Sequence, residues 1–260
     1  MSATPRRLLI AAAVVLSALL VIPALHAAAP VPAPSAGAES VLLNAANRDR
    51  AAYGLAPLQW DPSLAGAALQ HAALMAERNL LSHQLPGEGP VQVRATQFGA
   101  RFSVIAENIA SGPDPSGIHV HWMNSAPHRA NLLAADLNAI GIAVVQSGNM
   151  LYAVEDFSAA VPSASLEAQE ALVASQLAER GLRAGSSVDA RKTCDTDRGW
   201  AGPRPVTVMR YETADLRHLP AELDRGAQSG KYHAAAIGAC EVSSPNAGGF
   251  TRFRIAVLLY

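Results

Sequence analysis

Residues 122–133 read Trp122-Met123-Asn124-Ser125-Ala126-Pro127-His128-Arg129-Ala130-Asn131-Leu132-Leu133. Working outward from them sets the fold. On the near side, a short helix is expected over 116–124, with Ile118 and Trp122 one turn apart. The stretch breaks at Ser-x-Pro, and His128 stands just past the break. On the far side, residues 139–146 and 151–157 are small, β-branched and apolar. Ser147-Gly148-Asn149 joins them as a hairpin connection. Two earlier pieces, Leu81-Ser82-His83 and Ala106-Glu107-Asn108-Ile109-Ala110, have the polar residues to meet His128 in one site.

Upstream, helical spacing is expected over 39–53, and Gly54 stops it as a C-terminal cap. Asp61-Pro62 opens the next helix, Asp61 as cap and Pro62 in the first turn. Leu64, Ala68, Ala72 and Met75 follow on one face. Residues 86–90 form a Gly/Pro loop, 91–98 a short helix, and 102–110 a buried turn or short helix. Helices come first and an antiparallel sheet second, so the class is α+β with helices stacked on a sheet.

The chain has 260 residues and a net charge of −1, which gives no reason to expect a nucleic acid as partner. Arg6 and Arg7 precede an apolar run over 8–25, broken at Pro23, and Ala27, Ala28 and Ala29 follow. Basic, apolar and small-residue segments in that order describe a signal peptide over 1–29. The run is near the ~20 residues that span a bilayer, so an uncleaved N-terminal anchor is the alternative. Pro23 favours cleavage and leaves no stable membrane span. Export then leads to a secreted or periplasmic protein. Residues 30–38, rich in Pro, Ala, Ser and Gly, read as a flexible linker. Only two cysteines occur, and in an exported chain Cys194 and Cys240 are expected to form one disulfide.

After a linker at 161–165, residues 166–260 read as a smaller α+β unit. A helix over 166–180 closes at Gly181, strands are expected over 205–212, 232–242 and 250–260, and a helix over 219–227. Ala236-Ile237-Gly238-Ala239-Cys240 echoes Ala139-Ile140-Gly141-Ile142-Ala143. A second echo links Asn47 to Leu55 with Gln176 to Leu182. On these echoes the unit reads as a degenerate, shortened copy of the first domain.

The ordered set of pieces resembles the CAP superfamily (cysteine-rich secretory, antigen 5 and pathogenesis-related proteins, or SCP-like), in its bacterial form. It comprises Leu43 to Arg50 with Gly54-Leu55, Leu58-Gln59-Trp60-Asp61, Leu64 to Met75, Leu81-Ser82-His83, Ala106 to Ala110, Trp122 to Leu133, and Ile140 to Ala143. The resemblance implies an α-β-α sandwich over 39–160. It implies a cleft in which His83 and His128 are the two histidines and Glu107 the glutamate of a Glu-Asn motif. Where the family often carries a second glutamate, this chain has Ser125. Serine supplies neither a charge nor a comparable base, so the expected cleft set is His83, Glu107, Ser125 and His128. A divalent metal such as zinc on His83 and His128 is implied, as is a lipid or sterol-like ligand.

From the residues alone, His71 reads as a core or rim histidine and Trp122 as core. His119 and His121 read as solvated, with one of them able to reach the cleft. Asn108 is expected to bond backbone in a turn, and Arg129 and Asn131 to tie down the segment around His128. There is no His-Glu-x-x-His helix and no Gly-x-Ser-x-Gly elbow. The expected function is therefore binding of a small-molecule or lipid ligand, or of an envelope component, without catalysis. The alternatives are a metal-assisted hydrolase of peptides or envelope polymers, with Glu107 and Ser125 as cleft candidates, and a structural or adhesive envelope module.

Overall fold

The computed structural model describes residues 36–242 and 249–260. The expected signal peptide and residues 30–35 of the expected linker lie outside them. The last three residues assigned to that linker belong instead to the first helix, α1 (Ala36–Ala52). Ala38 packs there into the core.

Gly54 follows α1 in the left-handed region, φ 72°. A two-residue strand, β1 (Gln59–Trp60), leads into α2 (Pro62–Arg78). Asp61 caps α2, its Oδ1 accepting from the amides of Ser63 at 2.8 Å and Leu64 at 3.3 Å. A short helix, α3 (Val91–Gln97), comes next. It is followed by a long strand, β2 (Phe102–Gly112), where a turn or short helix was expected. The pairing explains the difference. β2 runs antiparallel to β4 (Met150–Ala160), and its residues alternate between two covered faces. Ile109 packs with α2 and Ala110 with the opposite layer. With polar Glu107 and Asn108 next to them, no apolar alternation marks the strand in the sequence.

The stretch that opened the sequence reading becomes two helices, α4 (Pro115–Asn124) and α5 (Ala126–Leu132), hinged at Ser125. His128 therefore stands on a helix. Pro127 falls in the first turn of α5, where a missing N–H is harmless. The hairpin follows as expected: β3 (Ala139–Ser147) pairs with β4, and Ser147 faces Met150 across Gly148-Asn149.

The first sheet has the order β1-β3-β4-β2. Ala68, Ala72 and Met75 of α2 pack on one face with Ile109, Ala143, Val145 and Val154. Leu42 of α1, Trp122 of α4 and Leu132 of α5 pack on the other with Ile140, Ile142, Val144 and Phe157. The result is an α-β-α sandwich, with β1 and β2 as its two edge strands. Among the described residues, no helix is long and apolar enough to cross a membrane.

The second part repeats this plan. Its elements are α6 (Leu166–Glu179), β5 (Arg183–Ser186), α7 (Val188–Cys194), β6 (Thr207–Thr213), α8 (Ala221–Gln228), β7 (Ala234–Cys240) and β8 (Phe253–Leu259). The sequence reading missed β5 and α7, which lie in its polar, Gly-bearing stretch. The sheet order is β5-β7-β8-β6. β5 is parallel to β7 as β1 is to β3, and the remaining pairs are antiparallel in both sheets.

Details of the close packing coincide. Asp61 N donates to Ile140 O and Ser187 N to Ile237 O, each from the cap of the helix that follows. A Cβ on Gly141 would lie 2.1 Å from Ala65 N, and one on Gly238 2.1 Å from Arg191 N. In both copies a glycine lets the strand touch the helix backbone. The disulfide Cys194–Cys240 then ties α7 to β7.

Candidate functional site

Glu107 lies in β2 on the α2 face and is almost wholly buried. Its Oε1 accepts from His83 Nδ1 at 2.8 Å. Its Oε2 accepts from Arg94 Nη2. Arg94, on α3 and buried, also donates from Nη1 to the carbonyls of His83 (3.1 Å) and Gly89 (3.0 Å). One guanidinium therefore holds both the carboxylate and the loop that presents His83. Sequence reasoning missed Arg94, and also Glu88. Glu88 bonds His71 Nδ1 at 2.8 Å and accepts from the Leu85 amide at 3.1 Å. Only the depth of burial, invisible in the sequence, distinguishes this arginine and glutamate from solvated ones.

His83 itself is mostly outside, with 59% of its side chain exposed. Because Nδ1 is bound to Glu107, its Nε2 is the nitrogen left for a ligand. The hydrogen bond to Glu107 raises its pKa, against a smaller opposing effect of burial.

His128 approaches from the other helical layer. Asn108 Nδ2 donates to the His128 carbonyl at 3.1 Å, and Asn131 Nδ2 donates to Asn108 Oδ1 at 2.9 Å. Asn131 also reaches the Glu107 carbonyl at 3.3 Å. Asn108 thus works from a strand, not a turn, and the amide pair fastens α5 to β2. Burial lowers the His128 pKa, with the nearby charges of His121 and His83 acting in the same direction. His121 and His128 have ring centroids 6.3 Å apart.

The result is a cleft of about 510 Å³ over the β2 edge, lined by Leu81, Ser82, His83, Ile109, Ser111, His121 and His128 together with Ala110. His83 and His128 share this wall, and Glu107 lies beneath it. Ser125 does not line it. Of the two histidines expected to be solvated, His121 lines the cleft. His119 is buried instead, with Nε2 bound to Asp49 Oδ2 at 2.8 Å. His71 is core, as read.

The donor set for a metal is thin. Among the described residues, no three His, Cys, Asp or Glu side chains are grouped to hold an ion. Two imidazoles alone do not make a protein-built zinc centre, which takes three or four protein ligands.

Comparison with known proteins adds the following. Residues 43–157 match the model of the cysteine-rich secretory protein family, CAP. YkwD of Bacillus subtilis is 34% identical over 113 residues, which is 43% of this chain and 44% of YkwD. The membrane protein YlbC of Bacillus subtilis is 33% identical over 108 residues, 41% of this chain and 31% of YlbC. The chain thus spans less than half the length of each of these two relatives. Among solved structures, an outer surface protein from Borrelia burgdorferi aligns with a TM-score of 0.47 and 22% identity, over 50% of this chain and 97% of that one.

Proposed function

Since residues 43–157 belong to the CAP family, we propose that the chain is an exported binding protein whose His83/His128 cleft takes a small amphipathic ligand. The observation that carries this is the presentation of His83. Its imidazole is held at Nδ1 by a buried, arginine-paired glutamate, and opens beside His128 and His121. A cleft of about 510 Å³ falls within the ordinary range for small-molecule sites. Leu81, Ile109 and Ala110 offer it an apolar floor, and the three imidazoles and two serine hydroxyls can read a polar head. A lipid or sterol-like molecule has that division of character.

Hydrolysis is less well supported. Both Glu107 oxygens are engaged, by His83 and by Arg94, so Glu107 is not free to act as the base. Ser125 lies outside the wall.

The test is organic extraction and mass analysis of the protein exported from a native host. The wild type is expected to release a compound that the His83→Ala/His128→Ala double variant, of unchanged circular dichroism, does not. Equal release from both would refute the assignment. Thermal melts with added zinc form a separate arm. A rise in melting temperature lost in the double variant would recast the cleft as ion-dependent through linkage.

A further inference from the structure

Behind Glu107, in the neighbouring strand, stands a second acid. Asp156 is the direct cross-strand partner of Glu107. Opposed residues on one face of an antiparallel pair have Cβ atoms about 5 Å apart, close enough for the two carboxyls to meet. Asp156 is 0% exposed, and no protein donor reaches either of its oxygens. The groups that face this cluster are Glu107 from β2, Arg94 from α3, Glu88 from the loop between α2 and α3, and His71 from α2. Three buried carboxyls therefore share one guanidinium and two imidazoles, His71 and, from the cleft side, His83. Arg94 touches Glu107 and Glu88, not Asp156.

We propose that Asp156 is a protonated positioning residue. It donates its hydroxyl proton to the Glu107 carboxylate and so fixes the orientation in which Glu107 accepts from His83 Nδ1–H. Two acids in contact cannot both be ionised in a buried site without a cation each. The one paired with arginine keeps the charge, and its neighbour keeps the proton. Burial first, and then the Glu107 charge, push the Asp156 carboxyl well above its ordinary range.

The second sheet supplies an internal comparison. Gly141 faces Asp156 across the strands, and Gly238, its counterpart, faces Ala256. The topology is satisfied by alanine at this position, so the buried acid in the first sheet answers to the cleft and not to the fold. The chain Asp156–Glu107–His83 holds one imidazole tautomer, with Nε2 turned to the cleft. The inference rests on the binding reading only for its consequence, and its test needs no ligand.

The full chain is studied in a Glu155→Gln background, which removes the other buried acid of β4. Infrared spectroscopy at neutral pH should show the carbonyl stretch of a protonated carboxylic acid, and Asp156→Asn should remove it. Asparagine still donates to Glu107. Imidazole ¹⁵N spectra should therefore keep His83 in the Nδ1–H form, with its proton affinity within about threefold of wild type. Asp156→Ala, which has no donor, should let His83 populate both tautomers. Absence of the acid band, or its survival in Asp156→Asn, would overturn the proposal. So would a fall of about tenfold or more in His83 proton affinity in Asp156→Asn, the signature of a lost negative charge. An unchanged tautomer in a folded Asp156→Ala would overturn the positioning role. A failed ligand search would leave all these readouts intact.

Discussion

Glu155 offers a direct measure of what this sheet gives up to hold its acids. It stands beside Asp156 in β4 but on the opposite face, opposed to Ile142 of β3 and Asn108 of β2. It is 0% exposed. The Asn108 amide lies near it, yet that amide hydrogen-bonds to the His128 carbonyl, and neither Glu155 oxygen has a partner of hydrogen-bonding geometry. Burial pushes its pKa up to about 8, from an ordinary 4.5. A group raised on folding contributes stability that is present below its unfolded pKa and is lost as pH climbs to the folded one. From about pH 4.5 to about pH 8 the folded chain therefore holds one proton that the unfolded chain has released. That is worth roughly 1.4 kcal/mol per pH unit, and at most about 5 kcal/mol in all. Between about pH 5 and about pH 7 the loss due to Glu155 is roughly 2.5 kcal/mol. Asp156 and His83 act with the same sign and His128 with the opposite one, which is why the comparison with a Glu155 variant isolates this contribution. Glu155→Gln is nearly isosteric and cannot titrate. Denaturant unfolding at a series of pH values should show the variant losing roughly 2.5 kcal/mol less than wild type over that interval. Parallel stability–pH curves for the two proteins would mean that Glu155 is ionised in the folded chain, and would refute the reasoning.

Two further outcomes follow from the repeated packing and its crosslink. Gly141→Ala and Gly238→Ala each drive a methyl into helix backbone 2.1 Å away, which cannot rotate aside. Each should lower the unfolding free energy by about 3 kcal/mol, and a change under about 0.5 kcal/mol for either in equilibrium denaturation would contradict the close approach. Reducing Cys194–Cys240, which closes a loop of sequence separation 46, should destabilise the chain by about 4 kcal/mol. Paired melts with and without reductant read this directly, and coincident curves would show that the crosslink contributes nothing.

The parts of the fold legible in the sequence are those set by local chemistry. Asp61-Pro62 could be read as a helix start because the cap is made within three residues. Gly148-Asn149 could be read as a hairpin for the same reason. β2 could not, because both its faces are covered and its centre is polar. Glu107 and Asn108 look like turn residues until β4 supplies their partners. In the site, His83, Glu107 and His128 were named from motif resemblance, and their surroundings were not. Arg94, Glu88 and Asp156 lie 13, 19 and 49 residues from Glu107, and only the packing of α3, the loop and β4 on β2 brings them in. His119 was misread because its partner Asp49 lies 70 residues away in the chain, across the α1/α4 contact.

The two sheets together separate what the topology demands from what the cleft demands. At matching register the second sheet has Arg210 for Glu107, Tyr211 for Asn108, Ile255 for Glu155 and Ala256 for Asp156. The Arg210 guanidinium bonds the carbonyls of Thr193 and Gly199, so it braces its own loop. Ile255 and Ala256 are ordinary core. The same strand order and the same glycine contact are thus built once with isoleucine and alanine on β8 and once with two carboxyls on β4. Unpartnered buried acids lower stability at neutral pH, as the titration of Glu155 measures. A chain that can fill these positions with isoleucine and alanine in one copy gains nothing structural from acids in the other. Their presence beneath the wall where His83, His121 and His128 meet supports the proposal that the first sheet is the one organised for a ligand.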